Sequence, residues 1–102
     1  MEELVRLGKI LSDINRVKIL VLLEREGELC VCEICDTLKL SQPLVSRHLK
    51  QMRESGYLST KKQGKWIIYT LVKNHLLDFI ISSIEIQEEK IPALISCKAK
   101  TI

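Results

Sequence analysis

The chain has 102 residues, enough for one compact domain, and a chain of that length leaves about a third of its unfolded surface uncovered when it folds alone. Hydrophobic residues make up 46% and aromatic ones 4%, so the core is expected to be aliphatic, with the surplus apolar surface hidden by dimerisation. The net charge of +3 conceals a division: residues 1–40 are net −2, residues 41–72 net +5 and residues 73–102 net 0, which places a polyanion-binding face in the middle third. The longest apolar run, Ile19 to Leu23, falls far short of the ~18 residues needed to span a bilayer. The start Met1-Glu2-Glu3 lacks the basic segment of a secretory signal, so a cytoplasmic location is expected.

Leu4, Leu7, Leu11 and Ile14 form the 3-4-3 stripe of a first helix that meets another helix. Asp13 can cap a second helix through Val17, Ile19, Leu20, Leu22 and Leu23, apolar nearly all round and stopped by Gly27. A short third helix is expected from about Cys30 to Leu38, with Val31, Ile34 and Leu38 inward. Ser41 as N-cap and Pro43 in the first turn start a fourth helix through Leu44, Val45, Leu49 and Met52, which Gly56 ends. The hydrophobic period then changes to two. Tyr57–Thr60 and Trp66–Leu71 read as strands of a hairpin whose glycine-containing tip is Lys61-Lys62-Gln63-Gly64-Lys65. From Asn74 a last helix carries Leu77, Ile80 or Ile81, and Ile84 on one side and ends before Pro92. The expected domain is residues 1–91, mainly α with a small β-hairpin (α-α-α-α-β-β-α), followed by a tail over 92–102.

Two short helices joined by a tight turn, with a basic-tipped hairpin after them, make a winged helix-turn-helix. The fourth helix carries Gln42, Ser46 and Arg47 near its start, short hydrogen-bonding groups and an arginine suited to base edges in the major groove. Lys50 and Arg53 lie one and two turns further on, where phosphates are the targets, and Lys61, Lys62 and Lys65 would reach the DNA backbone or minor groove. Taken singly, each is as well explained by a solvated surface; together they coincide with the +5 block. His48 is open between a structural role and a base contact, and Trp66 is expected to anchor the hairpin on the core.

The run Ser41-Gln42-Pro43-Leu44-Val45-Ser46-Arg47-His48-Leu49-Lys50, then Arg53-Glu54-Ser55-Gly56 and Gly64-Lys65-Trp66 before Tyr69, resembles the ArsR/SmtB family of small metal-sensing repressors. The resemblance covers roughly residues 2–90. It implies a homodimer paired through the first and last helices and bound to palindromic operator DNA.

Cys30, Cys32 and Cys35 fall within six residues. Disulfides between such near neighbours are geometrically poor, and clustered thiolates select soft, thiophilic ions. On a regular helix Cys32 and Cys35 stand one turn apart, whereas Cys30 lies about 160° from Cys32. A three-thiolate site therefore requires Cys30 outside the helix or an unwound first turn. The segment Glu28-Leu29-Cys30-Val31-Cys32-Glu33-Ile34-Cys35 is similar to the arsenite-responsive branch of the family, which implies As(III) or antimonite as inducer, bound by Cys30, Cys32 and Cys35, with release from DNA. Cadmium- and lead-responsive members use further cysteines from an N-terminal extension, for which the residues ahead of the first helix are expected to be too few. Zinc-responsive members use Asp/His and His/Glu pairs on the last helix; His75, Asp78, Glu85 and Glu88 have a different spacing. Response to Cd, Pb or Zn, or to thiol oxidation or persulfidation through the same cysteines, is the alternative. Cys97 is expected to be incidental, with a role as extra ligand or redox partner the other possibility. The spacing Cys32-x-x-Cys35 also occurs in thiol oxidoreductases, but no βαβ context, phosphate-cradling loop or assembled base accompanies it, so no enzyme is expected.

Overall fold

The computed structural model describes residues 1–86, with the backbone alone over the final helical positions 84–86. Five helices and three strands follow one another: α1 (Glu2–Leu11), α2 (Ile14–Glu26), β1 (Glu28–Cys30), α3 (Val31–Leu38), α4 (Gln42–Glu54), β2 (Leu58–Gln63), β3 (Trp66–Leu71) and α5 (His75–Ile86). The expected end of the last helix at Pro92, the tail over 92–102, Glu88 and Cys97 lie outside the described residues.

Local chemistry sets most boundaries. Ile14 does not continue the first helix, because Asp13 Oδ1 accepts the Asn15 N–H at 2.8 Å and begins α2. Gly27 ends α2 at φ 88°, in the left-handed region that glycine enters without steric cost. Lys39 closes α3 in the same region at φ 57°. That residue makes the turn between α3 and α4 tight. Ser41 Oγ accepts the Leu44 N–H at 3.4 Å, and Pro43 lies in the first turn of α4. Asn74 Oδ1 likewise accepts the Leu77 N–H at the start of α5.

The sheet corrects the expected two-stranded hairpin. It is three-stranded and antiparallel, in the order β1-β3-β2, with Glu28, Leu29 and Cys30 opposite Thr70, Tyr69 and Ile68. A strand of three residues shows too little alternation to be read locally, and its pairing is decided 38 to 42 residues downstream. Cys30 consequently belongs to β1 and caps α3 rather than lying within the helix. The hairpin is also longer than expected: β2 runs through Lys61 and Lys62 to Gln63, leaving Gly64-Lys65 as the two-residue turn.

The core is aliphatic, as composition requires. Leu7, Ile19, Leu20, Leu22, Leu29, Ile34, Val45, Leu49, Met52, Ile68 and Leu77 are fully buried, with Tyr57 the one large aromatic among them. Burying each such side chain stabilises the fold by about 1.5–3 kcal/mol. The stripe predicted for the first helix is only half used: Leu7 is buried, whereas Leu4 and Ile14 remain 55% and 57% exposed, and Val5, outside the stripe, is 59% exposed. Phe79 on α5 is 71% exposed.

Candidate nucleic-acid interface and thiol site

Helix α4 divides into two faces. Val45, His48, Leu49 and Met52 point into the protein, while Gln42, Ser46, Arg47, Lys50 and Arg53 are exposed. The outward side chains include all the predicted base-reading residues, which make no side-chain hydrogen bond or ion pair among the described residues. His48 settles on the structural side of its two expected roles, being 3% exposed.

The wing lysines separate. Lys61 Nζ lies 2.8 Å from Glu28 Oε2 on the other edge of the sheet, so its charge is partly answered within the protein, although an exposed pair of this kind contributes little to stability. Lys62 is exposed in β2, and Lys65 occupies the turn with its Nζ 5.7 Å from the Trp66 ring centroid. Trp66 is half-buried and lies outside the main core cluster, so it does not serve as the expected core anchor.

The cysteines are positioned by the β1–α3 junction. Cys30 has extended backbone (φ −91°, ψ 167°) and is the N-cap of α3. Its N–H donates to Glu33 Oε1 at 3.1 Å, and Glu33 is buried, so the carboxylate fastens the strand end onto the first turn of the helix. Cys30 Sγ lies 3.7 Å from Cys32 Sγ. Cys30 lies outside the helix, the first of the two solutions anticipated, and this pairs it with Cys32 without bringing Cys35 to them.

Cys30 and Cys32 border a cavity of about 290 Å³ whose other walls are Val31, Gln42, Lys65, Trp66 and Ile67. The register that sets Cys30 opposite Ile68 brings the start of β3 there, and the α3–α4 turn brings Gln42. Cys35 is not part of that lining; it packs partly buried against the core. Burial pushes its thiol pKa up, reinforced by Asp36 and Cys30. Cys30 and Cys35 are free thiols. Among the described residues, no three His, Cys, Asp or Glu side chains stand together as a metal site. His75 is exposed at the start of α5 and Asp78 follows within its first turn.

Sequence reasoning missed two contributors. Glu33 reveals itself only as an acidic residue three after an N-cap that is not Ser, Thr, Asp or Asn. Arg16, on α2, donates to Ile10 O, Lys9 O and Gln51 Oε1 and contacts His48, joining the adjacent helices α1 and α2 to α4, more than thirty residues downstream. No local signal announces such a bridge.

Comparison with known proteins places the chain. Residues 13–60 match the family described as "Bacterial regulatory protein, arsR family". The arsenical resistance operon repressor of Escherichia coli (strain K12) is 54% identical over 67 residues, covering 66% of this chain and 57% of that protein. Thus the match spans about half the length of several arsenic regulators of this kind. The arsenical resistance operon repressor of Staphylococcus xylosus is 38% identical over 86 residues, covering 83% of this chain and 80% of that one. Among solved structures, HlyU from Vibrio cholerae N16961 superposes with a TM-score of 0.78 at 29% identity, covering 87% of this chain and 95% of HlyU. No described helix is long and apolar enough to cross a membrane. With its winged helix-turn-helix and a relative matched over four-fifths of both chains, the protein belongs to the ArsR family of bacterial regulatory proteins.

Proposed function

We propose that this protein is a metalloregulatory repressor that binds operator DNA as a homodimer and is released when As(III), or Sb(III) by the same chemistry, binds its cysteines. One observation carries the reading: the cavity holding Cys30 and Cys32 is also walled by Gln42, at the start of α4, and by Lys65, in the wing turn. An ion held by those sulfurs would share a cavity with both elements that would face DNA. The arsenical repressors among its relatives supply the choice of ion.

In the bound state Gln42, Ser46 and Arg47 read base edges, while Lys50, Lys62 and Lys65 hold phosphates, with Lys61 supporting the wing through Glu28. The second copy covers the apolar residues that α1 and α5 leave exposed, Leu4, Val5 and Phe79. Pairing there sets two reading helices about one DNA turn, ~34 Å, apart.

As(III) is a soft, thiophilic centre suited to sulfur ligands. In the reduced protein Cys30 and Cys32 supply two thiolates already side by side, and Cys35, one turn along α3, supplies the third. Bringing Cys35 to the other two distorts α3, the helix packed against α4. A coupling of ~3 kcal/mol between ion and DNA binding corresponds to on the order of a hundredfold loss of operator affinity.

The test uses protein with Cys32→Ser and Cys35→Ser, bound under full reduction to a duplex that the unaltered protein selects from a random-sequence pool. Thiolate-to-ion absorbance and DNA release are followed together across arsenite, antimonite, Cd, Pb and Zn. Loss of arsenite-driven release with DNA binding intact supports the site; release indistinguishable from that of the unaltered protein removes it. The close approach of Cys30 Sγ and Cys32 Sγ, 3.7 Å, favours a second reading, in which thiol oxidation is the releasing signal. Release by oxidant in the absence of any ion, with none by arsenite under reduction, would select that one.

A further inference from the structure

His48 is a titratable side chain placed in the middle of the DNA-facing helix yet turned into the protein, and the thiol mechanism makes no use of it. Its ring is 3% exposed. Nδ1 lies 3.2 Å from Arg16 Nη1. A guanidinium has only N–H donors, so Nδ1 must accept and the single ring proton sits on Nε2. That proton is buried with no hydrogen-bond partner, and Nε2 lies 3.9 Å from Asp13 Oδ2. The same Arg16 Nη1 donates to Gln51 Oε1 at 2.9 Å, one turn along α4. Its other nitrogens hold the final carbonyls of α1: Nε on Ile10 O at 2.7 Å and Nη2 on Lys9 O at 3.0 Å.

We infer that His48 is a positioning residue for DNA recognition: in its neutral, Nε2-protonated form it accepts the Arg16 guanidinium and locks α4 to the end of α1. This inference rests on the reading of α4 as the DNA-facing helix and deepens it. α1 carries the exposed Leu4 and Val5 of the proposed dimer face, so the lock fixes how the reading face of α4 sits relative to that interface. Arg47 and Ser46 lie on the turn that the lock holds.

The charges around the ring set the sign of its pH response. Arg16 from α2 and Arg47 from α4 oppose its protonation and Asp13 at the head of α2 favours it, while burial outweighs them all and holds the His48 pKa below its ordinary 6.5. Asp13 stays ionised to lower pH than usual because the Asn15 N–H donates to it. Acidification below about 6.5 therefore works against the native state. A proton on Nδ1 removes the acceptor and sets two cations 3.2 Å apart. The lock opens. General acidification, in contrast, makes the protein more cationic and strengthens phosphate binding, so the two effects have opposite signs.

The experiment compares the unaltered protein with His48→Asn, which keeps an acceptor near Nδ1 and cannot titrate, and with His48→Leu, which keeps bulk and loses the acceptor. Affinity for the selected duplex is measured from pH 7.5 to 5.5 at constant salt, together with dimer mass and thermal melting. The unaltered protein should lose affinity relative to His48→Asn as pH falls below 6.5, and His48→Leu should be about tenfold weaker at pH 7.5. His48→Asn should bind within about threefold of the unaltered protein at pH 7.5 and show no loss on acidification. Equal pH profiles for the unaltered and His48→Asn proteins would overturn the inference even if His48→Leu failed to fold. If the unaltered protein selects no duplex at all, the DNA-reading assignment falls first and the role of His48 with it.

Discussion

The reading helix and the thiol segment lie side by side and are built in opposite ways. Helix α4 has 13 residues, is capped at Ser41, and rests on Val45, Leu49 and Met52, all fully buried. Its functional side chains project outward from a support they do not disturb. The thiol segment joins a three-residue strand to an eight-residue helix, and its junction depends on one buried carboxylate, Glu33, holding the Cys30 N–H. Function and support there share the same few atoms. The difference teaches which element can yield: on the proposed function a ligand at Cys30 would work on a short, weakly propagated helix, whereas α4 would move as a unit because its packing face is continuous.

That contrast can be broken most forcefully at its rigid side. Leu49→Ala, deleting a fully buried side chain of α4, should cost about 2–5 kcal/mol of unfolding free energy, read by urea denaturation, and should weaken DNA binding while leaving arsenite absorbance at the thiols present in whatever protein remains folded. If that loss of stability came with unchanged operator affinity, α4 would not be the rigid partner. On the yielding side, Glu33→Ala leaves the buried Cys30 N–H without this acceptor and should cost about 1–3 kcal/mol. Its sharper signature is a smaller ion-driven drop in DNA affinity, because a junction already loosened has less order to lose. The smallest effect belongs to the wing. Lys62→Ala should lower the slope of log affinity against log salt by about 1, and Lys61→Ala by less, since Lys61 is already paired with Glu28. Equal slopes for the two variants would show that the ion pair dissolves on DNA.

Much of this organisation was legible in the chain. The caps at Asp13, Ser41 and Asn74, the stops at Gly27 and Gly56, and the outward row Gln42, Ser46, Arg47 and Lys50 follow from local rules, because each is settled within one or two turns of helix. The failures have a common cause. β1 has no local signature because its partner strand lies some 40 residues away, and Lys61 and Lys62 read as hairpin tip because the apolar pattern stops before them, whereas strand pairing carries β2 on to Gln63. His48 is not decided by its sequence neighbours; its burial follows from the packing of α4 on α3 and β2, with Arg16 of α2 against the ring.

The sequence alone determined the helix-turn-helix, the charged middle third and the soft-ligand chemistry of clustered thiols, since those depend on residue type, spacing and short-range hydrogen bonding. The tertiary structure alone decided that Cys30 stands outside α3 beside Cys32, that both share a cavity with Gln42, Lys65 and Trp66, and that Arg16 ties α1 to α4 through His48. The reason is physical: each of those arrangements comes from contacts between segments whose separation in sequence carries no periodicity. Only the closing of the sheet and the burial of one shared core bring them within bonding distance.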